Sequence, residues 1–243
     1  MGRIFACSDL HGRKDLYDAI CEFLKPEDIV YFLGDANDRG PQGWELIKAI
    51  YDNPQFIYLK GNHEDILWHA VIEYFDDMYD GHYWYNMCMN NGGYQTFYDA
   101  IEDPKVKEWL KKLAVLPTAD MYLNNKGQTI HLSHSGCYWG NKKENLWDRT
   151  HFNYPRSFGD DSISVHGHTP TELMKDDLYL DDYDLKAYKK NKVMFYCQDD
   201  NQEYHKINID VGACWNNFTC LLDLDTFEVI KLYPLDGIEI VRY

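Results

Sequence analysis

The sequence has no CxxC pair, and its seven cysteines are odd in number and scattered. That excludes a disulfide framework and fits reduced, mostly buried thiols. It has no stretch near the roughly 18 consecutive apolar residues of a membrane span. Its first residues, Met1 to Asp9, lack the long apolar run of a signal peptide and lead straight into a polar motif, so the chain reads as cytoplasmic. Low-complexity tracts and internal repeats are missing too. Basic residues are scarce: 24 Lys and Arg stand against 40 Asp and Glu, a formal charge of -16. Such a surface repels nucleic acid unless a local basic groove exists, and none is expected here. The expected partners therefore exclude nucleic acid and membrane. An anionic substrate would need metal ions or placed arginines to reverse the local field. Much of the excess charge has a plainer reading, as a solubilising surface.

What is present is a 243-residue chain of 45% hydrophobic composition, rich in aromatics. One domain over 1–243 can bury a core of its own. Arg3–Cys7, Ile29–Leu33 and Phe56–Leu59 are short apolar runs with strand character. Between and after them, Leu16, Ile20 and Leu24, then Trp44, Ile47 and Ile50, recur at helical spacing, and a third helix begins near Glu64. This β-α-β-α-β-α order implies a largely parallel sheet with helices packed on it. A helical insertion is expected at about 67–115, interrupted at Asn90–Gly93, with Asp103 as N-cap and Pro104 at the first position of its last helix. Beyond Pro117 the pattern turns to strands. Met121–Leu123 and Thr129–Leu132 flank a hairpin turn at Asn124–Gly127, and Ser162–Val165, Ile207–Val211, Thr219–Leu222 and Val229–Leu232 follow. An extended loop or hairpin is expected at about 171–206, with an acidic surface stretch at Asp176–Asp184.

Each of the first three strands ends in a polar cluster: Ser8-Asp9-Leu10-His11-Gly12, Gly34-Asp35-Ala36-Asn37-Asp38-Arg39-Gly40 and Gly61-Asn62-His63-Glu64. Ligands of open α/β sheets bind beyond the carboxyl ends of strands, so the clusters should converge in one cleft. Asp9 and His11, two residues apart in an extended segment, should project to one side. A carboxylate, an imidazole and an amide oxygen make a mixed shell suited to manganese, iron or zinc. Asp35 has oxygens enough to bridge two ions. His134, in His131-Leu132-Ser133-His134-Ser135-Gly136, and His168, in Val165-His166-Gly167-His168-Thr169-Pro170, add imidazoles. His131 and His166 sit within strands beside these and read as packed or supporting histidines. His69, His82, His151 and His205 carry no functional signal, and the Trp and Tyr residues around Trp84 read as packing.

In their order, these motifs resemble the phosphoprotein phosphatases among the calcineurin-like metallophosphoesterases, with the small bacterial and phage serine/threonine phosphatases nearest in pattern. Trp147-Asp148-Arg149, Asn91-Gly92-Gly93 and Ile209-Asp210-Val211-Gly212-Ala213 extend the likeness along nearly the whole chain. The resemblance implies a four-layer α/β fold, a central mixed β-sandwich flanked by helices. It implies two divalent ions, manganese first, with iron or zinc as alternatives. Asp9, His11 and Asp35 would hold one ion, and Asp35, Asn62, His134 and His168 the other. Asp38 and His63 would form a pair near the leaving group, with His63 as general acid. Arg39 and Arg149 would bind the phosphoryl oxygens, with Asn91 an additional substrate contact. The reaction implied is direct hydrolysis of a phosphomonoester by a hydroxide held between the ions, on a phosphorylated protein or a small phosphoester. Related enzymes that cut dinucleoside tetraphosphates symmetrically offer an alternative. A non-enzymatic metal-bound scaffold is a third, disfavoured by the complete ligand set. Two departures stand out: Ser8 replaces a glycine of the family pattern, and the 171–206 segment is longer than in the compact phage enzymes.

Overall fold

The computed structural model describes residues 2–76, 82–136, 146–149, 162–174, 192–197, 204–234 and 237–241. Strands β1 (Ile4–Cys7), β2 (Ile29–Phe32) and β3 (Phe56–Tyr58) alternate with helices α1 (Lys14–Phe23) and α2 (Gly43–Asp52), and α3 (Asn62–Phe75) follows β3. β1 pairs in parallel with β2, and β2 with β3, as the alternation implies. The other side of β1 is covered by antiparallel β9 (Thr219–Asp223), β10 (Val229–Tyr233) and β11 (Gly237–Val241), completing a six-stranded sheet in the order β11-β10-β9-β1-β2-β3.

The second sheet has the order β4-β5-β6-β8-β7, from β4 (Ala119–Leu123), β5 (Thr129–Ser133), β6 (Ile163–His166), β7 (Met194–Cys197) and β8 (Tyr204–Asn208). β4 and β5 form the expected hairpin, β5, β6 and β8 run parallel, and β7 pairs antiparallel with β8. The β7–β8 pair falls where an extended loop or hairpin was expected at 171–206. Most of the rest of that stretch, with the acidic residues Asp176–Asp184, lies outside the described residues. A four-residue helix, α7 (Thr171–Met174), follows β6.

Alternation along β1 builds the layers. Phe5 and Cys7 face the helices and Ala6 faces the second sheet, all fully buried. Between the sheets, Ala6, Leu33 and Leu59 meet Ile130, Leu132, Val165 and Ile207. On the other face of the first sheet, Leu16 and Ile20 of α1 and Trp44, Ile47 and Ile50 of α2 pack against Phe5 and Phe32. The sandwich is therefore mixed and central, as expected. No helix among the described residues is long and apolar enough to cross a membrane.

The helical insertion consists of the later part of α3, then α4 (Tyr83–Asn90), α5 (Tyr94–Glu102) and α6 (Val106–Ala114), with the turn at Asn91–Gly93 where expected. The start of α6 differs from the sequence reading. Asp103 and Pro104 lie in a turn before the helix, and Lys105 is its N-cap. The Asp103 carboxylate accepts from Lys105 N at 2.8 Å, and also from Trp44 Nε1 and Lys48 Nζ, each at 2.9 Å, so it ties α6 to α2. β8 also ends earlier than expected. Ile209 N still reaches His166 O at 2.8 Å, but Asp210 N turns to Asn208 Oδ1 at 3.0 Å while Asn208 Nδ2 donates to Thr169 O at 2.9 Å, and this local pairing takes the place of the ladder from Asp210 on.

Candidate metal centre

Six parallel strands, three per sheet, deliver their carboxyl ends to one place. Asp9 follows β1, Asp35 follows β2, and Asn62 and His63 open α3 after β3. His134, His168 and Asp210 follow β5, β6 and β8. All seven are almost fully buried.

The backbone there is not extended. Asp9 and His11 have φ of 55° and 46°, and Asp35, Asp38, Arg39 and His168 are also left-handed. Six of the nine described non-glycine residues with positive φ thus belong to the proposed site. The expectation that Asp9 and His11 project together from a strand is corrected: both point inward because the loop doubles back between them. Asp9 N donates to Gly34 O at 3.0 Å and His11 N to Asp35 O at 3.0 Å, locking the first loop onto the second. Left-handed conformation is unfavourable for residues with a Cβ, and its clustering here marks a site held in place by its surroundings.

Two groups of donor atoms form around Asp35. One comprises His11, Asp35 and His63, the other Asp35, His134 and His168, with ligand atoms in each group within 4.8 Å of one another. His11 Nε2 lies 3.8 Å from Asp9 Oδ1 and 3.7 Å from Asp35 Oδ2. His134 Nε2 lies 3.4 Å from Asp35 Oδ1. Asn62 Oδ1 is 2.9 Å from both His134 Nε2 and His168 Nδ1. The six residues expected to hold metal are thus assembled, with Asp35 shared between the two groups.

The donor chemistry fits divalent cations. His11 Nδ1 donates to Asn37 O and His134 Nδ1 to Leu33 O, each at 2.9 Å, so both rings turn their Nε2 atoms inward. Asp9 Oδ2 accepts from His168 N at 3.0 Å and from the Ser8 hydroxyl, whereas its buried Oδ1 has no hydrogen-bond partner. One oxygen is held by the protein and the other is left for a cation. Ser8, the departure from the family glycine, is therefore a carboxylate anchor.

Charge is concentrated to match. Burial, with Asp35 nearby, pushes the Asp9 carboxyl up, opposed by His134. Burial and the neighbouring Asp9 push Asp210 well above the carboxylate range. Burial acts to raise Asp35 too, but His134 and His63 outweigh it and hold Asp35 well below that range. His134 goes up to about 10, because Asp35 and Asp9 overcome the effect of burial. Burial, with a neighbouring imidazole in each case, holds His11 and His168 well below the usual value.

Beside this cluster, His63 Nδ1 meets Asp38 Oδ2 at 2.7 Å. Burial alone would lower the His63 pKa, but Asp35 and Asp38 raise it. Asp38 is fixed by Thr96 Oγ1, which accepts its N–H at 3.2 Å, and by Asn37 Nδ2, which donates to its Oδ1 at 2.9 Å. Arg39 lays Nη1 on His11 Nε2 at 2.8 Å and Nη2 on His63 Nε2 at 3.1 Å. A Cβ on Gly93 would stand 2.3 Å from Cys88 Sγ and 3.0 Å from Asp38 Oδ1, so Gly93 can lie against Asp38 only because it lacks a side chain.

The remaining expected residues lie further out. Arg149 Nη1 donates to Thr169 Oγ1 at 2.9 Å, beside His168. Asn91 spends its amide on Met87 O at 2.8 Å, at the end of α4. His131 and His166 join neither donor group. His166 is buried, its ring packed on Gly136, and burial lowers its pKa to about 3.

Glu64 and Asp210 lie within the polar motifs, and the sequence alone assigns neither a task. Glu64, fully buried, accepts from Asp35 N, Ala36 N, Gly61 N and the Tyr58 hydroxyl at 2.7–2.9 Å. It ties the β2 loop to the start of α3, and the signal is an acidic residue directly after Asn62 and His63 at the opening of the helix. Asp210 accepts from Gly212 N at 2.9 Å and lies near Asp9.

The family model described as calcineurin-like phosphoesterase matches residues 2–201. Solved structures share the fold at low sequence identity. A candidate diadenosine tetraphosphatase aligns at TM-score 0.57 and 12% identity, over 97% of this chain and 95% of its own. A cold-active protein-tyrosine phosphatase from a psychrophilic Shewanella aligns at 0.54 and 17%, over 100% and 81%. A protein serine/threonine phosphatase from Saccharomyces cerevisiae aligns at 0.51 and 16%, over 100% and 80%. No curated protein matches the sequence.

Proposed function

Because the chain belongs to the calcineurin-like phosphoesterase family, and so is a metal-dependent phosphoester hydrolase, we propose that it hydrolyses phosphomonoesters, as a serine/threonine protein phosphatase with room for dual specificity. The observation that carries this reading is the Asp38–His63 pair, 2.7 Å apart, which sets a carboxylate-held imidazole against His11 and Asp35. A scaffold that merely bound metal would have no use for it.

Asp9, His11 and Asp35 would hold one divalent ion, and Asp35, Asn62, His134 and His168 the other, with manganese the first candidate. When bound, such ions supply an activated water and neutralise phosphate charge. The protein's own groups do the rest. Asp38 fixes the His63 ring through Nδ1, so that Nε2 can pass a proton to the oxygen of the departing alcohol. Arg39 exchanges its contacts with His11 and His63 for phosphoryl oxygens as substrate enters. Its planar fork and that of Arg149 suit a terminal phosphate with several free oxygens. Glu64 holds the backbone of the loop that carries Asp35, and Ser8 holds the Asp9 carboxylate.

A terminal phosphate is favoured over a polyphosphate chain because the strand-end motifs that build the site carry no lysine to track successive phosphates, and the net charge of -16 opposes a highly anionic dinucleotide. The five described free cysteines fit a reducing cytoplasm. The deciding experiment compares kcat/KM for a phosphopeptide set with that for diadenosine tetraphosphate after manganese loading. Preference for phosphopeptides is expected. Preference for the dinucleotide would replace the phosphatase reading, and turnover of neither would remove both.

A further inference from the structure

Trp215 lies on the loop between β8 and β9 and is 55% exposed, unusual for an indole. It stands at the rim of the site, with the Arg39 guanidinium carbon 5.9 Å from its ring centroid. That guanidinium is the group that touches both His11 and His63.

The loop that presents Trp215 is rigidly tied. Arg13, two residues after His11, donates from Nη1 to Ala213 O at 3.0 Å and to Asn216 O at 3.1 Å, and from Nη2 to Asn217 Oδ1 at 3.2 Å. Asn216 Nδ2 donates to Val211 O at 2.6 Å, and Trp215 N to Gly212 O at 3.1 Å. One edge of the indole rests on Gly212, where a Cβ would stand 2.6 Å from Trp215 Nε1. The ring is thus braced along an edge and from behind while much of it stays open to solvent. A side chain present only to pack would not be held in water by a clamp of this kind.

We infer that Trp215 is a specificity-determining platform that receives an aromatic ring bonded directly to the phosphate ester oxygen, as in phosphotyrosine and other aryl phosphates. This rests on the phosphomonoesterase reading above and narrows it. A phosphate held by Arg39 places its ester substituent beside Trp215. In an aryl phosphate that substituent is a flat ring able to stack on the indole, whereas in phosphoserine it is a single methylene. Arg13 acts as a positioning residue, through the loop.

The test uses the manganese-loaded full chain and its Trp215→Ala, Trp215→Phe and Arg13→Ala variants. kcat/KM is measured for one peptide sequence carrying phosphotyrosine or phosphoserine, and for adenosine 5′-monophosphate. Kd is measured by calorimetry for phenylphosphonate and methylphosphonate. Stacking of this kind gives roughly a 2–10-fold preference. Trp215→Ala should lower the tyrosine-to-serine ratio of kcat/KM by about that factor, mainly through KM, and reduce the phenyl-to-methyl ratio of Kd preference alike. Trp215→Phe should restore most of both, and Arg13→Ala should fall between. Unchanged ratios in Trp215→Ala would overturn the inference and leave the phosphatase reading standing. An effect confined to adenosine 5′-monophosphate would overturn it in favour of a nucleobase. A wild-type enzyme that turns over no phosphomonoester would remove the phosphatase reading and this inference together.

Discussion

His63 Nδ1 and Asp38 Oδ2 stand 2.7 Å apart in a nearly dry environment, at the ends of two different parallel strands. The pair fixes which nitrogen of the ring stays free. Asp38 has a left-handed backbone and is anchored by Thr96 and Asn37, so the histidine is aimed by three elements rather than one.

The first expectation follows from that geometry. His63→Asn should lower kcat about 10²–10⁴-fold, the usual worth of a general acid, with metal content unchanged by elemental analysis. The loss should shrink for substrates with good leaving groups, which need less protonation. Loss of metal along with activity would instead make His63 a ligand, a role its membership of one donor group leaves open to this measurement.

Metal removal separates the other residues. Chelation should abolish turnover, and manganese should restore it best among common divalent ions. Asn62→Ala and His134→Ala should each lose metal occupancy, because Asn62 Oδ1 and His134 Nε2, 2.9 Å apart, belong to the same group of donors. Full activity in protein shown to be free of metal would contradict the donor assignment.

Asp103 offers a pH-dependent prediction away from the site. Its contacts with Lys105 N, Lys48 and Trp44 outweigh its partial burial and lower its pKa from 3.8 to about 2. A carboxylate with a depressed folded pKa stabilises fully above its unfolded pKa, and that contribution disappears as pH falls through the folded value. Asp103→Asn should therefore cost about 1–2 kcal/mol at pH 6, after allowance for the half-open Lys48. The gap to wild type should narrow by about half at pH 3. Urea midpoints of both proteins at the two pH values check this, and a gap independent of pH would assign the effect to geometry alone.

Much of the site was legible because its residues follow strands in short polar motifs. Asp9, Asp35, Asn62, His134 and His168 each sit within a few residues of a strand end, so locating the strands located the candidate donors. What the sequence hid was conformation and support. The left-handed backbone of Asp9 and His11 has no residue signature, since the interlocking loops impose it. Asp103 reads as a cap from its neighbour Pro104, but the long-range pull of Trp44 and Lys48 places it in the turn instead. β11 and the clamp from Arg13 to the Trp215 loop depend on contacts between distant residues, which periodicity cannot report.

Glu64 supplies the last prediction, because it tests whether support of the ligands matters as much as the ligands themselves. Its two oxygens serve four donors: Asp35 N and Gly61 N on Oε2, Ala36 N and the Tyr58 hydroxyl on Oε1. Two of these are backbone groups of the loop that carries Asp35, so the carboxylate sets where Asp35, the residue common to both donor groups, sits. Glu64→Gln turns one oxygen into an amide NH2 that can accept nothing, and two buried donors then face another donor. Each unsatisfied buried group costs about 1–3 kcal/mol, so the variant should lose roughly 2–5 kcal/mol in stability. Supporting partners of metal ligands are typically worth 10–100-fold in metal affinity or activity, and manganese affinity should fall within that range. Tyr58→Phe removes one donor and leaves the carboxylate intact. It should cost about 1 kcal/mol and leave manganese affinity within roughly threefold of wild type, since outer-shell losses of 10-fold or more come from freeing a ligand. Equal losses of affinity in the two variants would mean that Glu64 acts through general stability rather than through the position of Asp35.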